Sequence, residues 1–85
     1  MVLGREALRR FWFPLPTNFG IGVTAWTLAE ARTLAEEARR RFFPNAPEPA
    51  EVVEDVDIRA LDQKHVVPNM GPVALHGVWF PRQNV

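Results

Sequence analysis

Cysteine, serine and tyrosine are all missing from this chain of 85 residues, and lysine occurs once, at Lys64. The lack of cysteine excludes disulfides, thiolate metal sites and thiol redox chemistry. The lack of serine leaves only Thr17, Thr24, Thr27 and Thr33 as aliphatic hydroxyls, so hydroxyl-based nucleophilic catalysis has few candidates. No apolar run approaches the ~20 residues needed to cross a bilayer. The opening MVLGREALRR has no signal-peptide pattern. A cytoplasmic protein without membrane association is therefore expected. Net charge is also lacking, at +0, which disfavours tight sequence-independent nucleic-acid binding because such binding rests on an excess of cations.

What is present is one small apolar-rich chain, 47% hydrophobic, expected to form a single domain over residues 1–85. A chain of this length has a limited core, so association with a second copy is a useful source of stability. The charge is uneven. Residues 1–43 hold seven Arg and four Glu, whereas residues 44–85 hold two Arg, one Lys and six acids. Such a distribution suits either head-to-tail contact or ordinary solvated faces.

The most legible stretch is GIGVTAWTLAEARTLAEEARRRFF, residues 20–43. Thr27 and Glu30 have the spacing of a capping box, in which the hydroxyl accepts from the N–H of Glu30 and the carboxylate returns to the N–H of Thr27. Leu28, Ala31, Leu34, Ala35, Ala38 and Phe42 then recur every three or four residues, so they form one helical stripe. Alanine on that stripe implies close approach to a flat partner, a sheet. Glu36 and Glu37 precede Arg40 and Arg41 by four residues, an orientation that stabilises a helix, and Pro44 ends it.

Before the helix, Arg10–Leu15 and Ile21–Trp26 alternate as two strands of a hairpin around the turn Pro16–Gly20. After it, Glu51–Ile58 and Leu75–Phe80 are β-rich, separated by the long loop RALDQKHVVPNMGPVA. The predicted fold is α+β in ββαββ order, one amphipathic helix packed on a roughly four-stranded, mainly antiparallel sheet. A β-grasp-like arrangement and a plain sheet with a helix across it both satisfy that order. A β-grasp would resemble ubiquitin-like sulfur carriers, but their terminal Gly-Gly is not found in PRQNV, so that activity is not expected.

Alternation carries the functional reading. With Phe11, Phe13, Ile21, Val23 and Ala25 toward the helix, Trp12, Thr24 and Trp26 turn to the other face, and Trp79 joins them if Val78 and Phe80 face the helix. That aromatic face is either covered by the long loop as a second small core, buried against a second copy, or open to a ligand or foreign partner. A non-enzymatic protein-interaction or self-assembling module, a homodimer through the face bearing Trp12 and Trp26, is the expected function. No cofactor or metal is expected.

Two alternatives come from other classes. Arg9, Arg10, Phe11, Trp12 and Phe13 interleave cations with rings, the chemistry of a weak single-strand binder. His65, His76 and the acids Asp55, Asp57 and Asp62 would be the residues of a small enzyme or metal site. Asp55 or Asp57 followed by Asp62-Gln63-Lys64 resembles the paired acid and D-x-K of metal-dependent nucleases, but over a few residues only and with Lys64 in a loop. The segment HVVPNMG, with His65, Asn69, Met70 and Gly71, is the candidate functional loop, alongside His76 in the last strand.

Overall fold

The computed structural model describes residues 7–16 and 19–82. Thr17 and Asn18 of the hairpin turn, the first six residues and residues 83–85 lie outside the described part. The strands are β1 (Arg9–Phe13), β2 (Ile21–Ala25), β3 (Val53–Glu54) and β4 (Gly77–Phe80), and α1 spans Leu28–Phe42 between β2 and β3. They form one sheet in the order β3-β1-β2-β4. Every ladder is antiparallel. Of the two arrangements compatible with the element order, this is the plain sheet crossed by a helix.

The hairpin is built around a close approach. Gly20 has φ +139°, a conformation that side-chain-bearing residues rarely adopt, and a Cβ there would lie 2.7 Å from Phe13 O. Phe11, Phe13 and Leu15 of the first strand region and Ile21, Val23 and Ala25 of β2 are buried on the helix side. Ala31, Ala35 and Ala38 of α1 meet them, and Leu28, Leu34 and Phe42 close the margins. The small alanine stripe is what lets the helix axis lie close over β2.

The cap differs from expectation by one residue. Thr27 Oγ1 accepts the N–H of Glu30 at 3.1 Å, but the Glu30 carboxylate reaches past Thr27 to take the Trp26 N–H at 2.8 Å. At the other end, Glu36 gathers two cations, Arg39 at 2.6 Å and Arg40 at 2.9 Å. Arg39 also donates to the carbonyl of Ala46, tying the helix to the chain that leaves it. These arginines, Arg39 first, hold the Glu36 carboxyl down to about 2. A depressed acid contributes stability that is fully present above the ordinary glutamate range near 4.5 and disappears as pH falls toward about 2. Urea titrations of wild type and Glu36→Gln across that window should show the steeper acid loss in wild type. Equal slopes would mean that the arginine cluster adds nothing.

The third strand is much shorter than the sequence suggests. Only Val53 and Glu54 pair, with Trp12 and Phe11 respectively. Asp55 follows with φ 56°, which turns the chain out of the ladder. Arg9 fixes that turn by donating to Asp55 at 2.9 and 3.0 Å and to Glu54 at 2.9 Å. Arg10 and Val56 then exchange bonds, Val56 N–H to Arg10 O at 3.2 Å and Arg10 Nε to Val56 O at 3.0 Å. Basic residues of the first half thus meet acids of the second, which neutralises part of the charge asymmetry within the molecule.

A second core fills the other face of the sheet. Trp12, Trp79 and Phe80 project there and are roofed by Val56, Leu61 and Val66, with Ile58, Val67, Met70 and Val73 around them. The roof is the long segment after β3, shaped by two short 3-10 turns at Ile58–Ala60 and Val67–Asn69. Phe80 was expected on the helix side but packs with Trp12 and Trp79. The cause is a register shift, since Gly22 faces Phe80 while Val23 faces Val78. Trp79 is the additional residue of that bulge, so two consecutive rings occupy one face.

Candidate binding surfaces

The face bearing Trp12, Thr24 and Trp79 is not open. Trp12 stacks on Trp79 with centroids 6.0 Å apart and an interplanar angle of 22°. Thr24 is buried and donates its hydroxyl to Val73 O at 2.6 Å, which pins the roof to β2. These three residues therefore serve an internal core. Of the four sequence candidates for an interface, Trp26 alone is exposed, at 49%.

Trp26 stands where β2 leaves the sheet and α1 begins. The Glu30 carboxylate binds both sides of this corner, taking the Trp26 N–H with Oε1 and meeting His76 Nε2 with Oε2 at 2.9 Å. The Trp26 bond, and then the His76 contact, hold the Glu30 carboxyl below the usual carboxylate range. Leu75 precedes His76 and is 64% exposed. The β2–β4 register, which pairs Thr24 with Gly77, carries Trp26 and Leu75 to this same end of the sheet. Leu75 was not singled out from sequence because it was expected to begin a strand; the last strand starts only at Gly77.

The histidines and acids do not assemble into one centre. His76 sits on Glu30, whereas His65 Nδ1 faces Asp62 at 3.3 Å. Asp55 is held by Arg9 and Asp57 by Arg59. Asp62 accepts the N–H groups of His65 at 2.7 Å and Lys64 at 2.8 Å, and these bonds lower its pKa. Among the described residues, no group of three or more histidine and acidic side chains is arranged to hold a metal ion. The three rings next to Arg9 and Arg10 are likewise buried, Phe11 and Phe13 under the helix and Trp12 under the roof, so they present no stacking platform.

The predicted loop, in contrast, does border a recess. An open cleft of about 530 Å³ is lined by His65 and Asn69 of that loop together with Phe19, Phe80, Pro81 and Arg82. Asn69 Nδ2 donates to His65 O at 2.8 Å, and the Phe19 ring stacks on His65 with centroids 5.1 Å apart. Gly71 donates its N–H to Trp79 O at 2.7 Å and Met70 packs on the second core, so those two residues anchor the loop. Phe19 and Arg82 were missed in the sequence. The available signal was a large exposed-type aromatic inside the turn PTNFG, where small polar residues are the rule. No protein-family model, curated protein or solved structure matches this chain.

Proposed function

We propose that the protein is a non-enzymatic association module that pairs with a second copy through the corner bearing Trp26 and Leu75. The supporting observation is the pair of large apolar side chains left exposed at 49% and 64% on either side of one carboxylate, Glu30. The corner is rigid, since that carboxylate is bonded to both the β2 end and the approach to β4. A tryptophan has only two side-chain torsions to immobilise on contact, and it is enriched among residues that carry interface energy. The large aromatic face inside the molecule plays no part in this contact.

Light scattering over a hundredfold concentration range tests the reading. Wild type should reach twice the chain mass of 9.7 kDa, and Trp26→Ala should remain at 9.7 kDa with unchanged far-UV circular dichroism. Wild type that stays at the single-chain mass throughout overturns it.

A further inference from the structure

Phe19 lines two recesses at once. One is the open cleft next to His65, Asn69 and Arg82. The other, of about 220 Å³, is apolar and lies against Trp12, Val53, Val56, Leu61 and Val66, with Asp62 at its margin. The half-exposed Phe19 ring is therefore a wall shared by a polar and an apolar compartment, and it is steadied by stacking on His65, which Asp62 in turn holds. Both lie at the end of the sheet opposite Trp26, because β2 runs from Phe19 toward Trp26.

The charges give the pair of recesses a direction. Asp62 stays ionised, held by two backbone N–H groups, so an anionic group is repelled from the apolar side. Arg82 borders the polar side and has no ion pair among the described residues. His65 turns Nδ1 to Asp62, which leaves Nε2 for a ligand, and Asn69 commits its amide nitrogen to His65 O, which leaves Oδ1. Rings on the apolar side favour an aromatic body, through offset stacking as well as burial.

We propose that these recesses form one binding site for a small aromatic carboxylate, with its ring between Trp12 and Phe19 and its carboxylate at Arg82. The inference goes beyond the association reading and does not depend on it. The geometry that carries it is the single ring, Phe19, that lines both an apolar recess edged by an acid and a polar cleft edged by a cation.

The probe is 3-phenylpropionate, titrated into the ¹⁵N-labelled full chain at neutral pH and low salt. A ligand of this size reaches roughly millimolar affinity. Saturable shifts are expected at the amides of Phe19, His65, Val66 and Arg82. The neutral 3-phenylpropionamide should bind about tenfold more weakly, since it forfeits a charge-assisted bond. Arg82→Gln, a change at an exposed position, should abolish that preference, and Trp26→Ala should leave it intact. The proposal is overturned if the acid causes no saturable shift, if acid and amide bind alike, or if Arg82→Gln keeps the preference.

Discussion

Trp79→Ala is expected to lower the free energy of unfolding by about 3–5 kcal/mol. Trp79 is 1% exposed and stacks on Trp12, so its removal empties the centre of the second core. Truncating a buried tryptophan costs about 3–5 kcal/mol. A chain of this length has a total stability of about 4–13 kcal/mol, so the loss is a large share of it. Trp79→Phe separates two contributions. Among the described residues the indole Nε1 is buried without a hydrogen-bond partner, a condition that costs about 1–3 kcal/mol, and phenylalanine removes the donor while keeping a ring. The ring of Trp79 lies directly over Gly22, where a Cβ would come 2.6 Å from Trp79 Cε3, so the glycine is what makes room for the indole. Urea denaturation should therefore place Trp79→Phe within about 2 kcal/mol of wild type and far from Trp79→Ala. If the two variants prove equally unstable, the indole is making an interaction that its surroundings do not reveal.

The difference between what could be read from sequence and what could not follows the range of the interactions involved. The helix was legible because its cap, stripe and terminating proline are all local, and the hairpin because Phe11, Phe13, Ile21 and Val23 repeat with the period of a strand. That period also assigned Trp12 and Thr24 to the face away from the helix, where they lie, and placed Trp79 there only on the condition that Val78 and Phe80 faced the helix, a condition Phe80 does not meet. Phe80 broke the pattern because a bulge depends on the partner strand, and nothing in LHGVWF marks it.

The roof was illegible for another reason. Its buried residues, Val56, Leu61 and Val66, are spaced by five and five, which matches neither a helix nor a strand. Its shape comes instead from acidic turns, with Asp57 capping one 3-10 turn and Asp62 taking two successive N–H groups. EVVEDVDI has strand-forming residues, yet Asp55 in a left-handed conformation limits pairing to two positions. The same segment supplies Asp62 and His65 to the cleft, so the site was partly visible as a proline- and glycine-punctuated loop. Its Phe19 and Arg82 walls come from distant parts of the chain and required the fold.

Val66→Asp is expected to detach the roof while leaving the helix and hairpin assembled. Val66 is 1% exposed and belongs to the second core, whereas the buried residues of α1 belong to the first. A carboxylate at that position has no cation within the core, and burying an unpaired charge costs more than the roof's packing returns. The segment should therefore lift away rather than accept the charge. Trp12 and Trp79 would then face solvent as an apolar patch, a surface that promotes association. Far-UV circular dichroism should keep its helical signal, tryptophan emission should move to longer wavelength, and a hydrophobic dye should bind. Light scattering should show mass rising with concentration, and this rise should persist when Trp26→Ala is added, because the exposed face is a different one. Loss of the helical signal together with the fluorescence change would show that the two cores unfold as one unit, and that the roof is not a separable element.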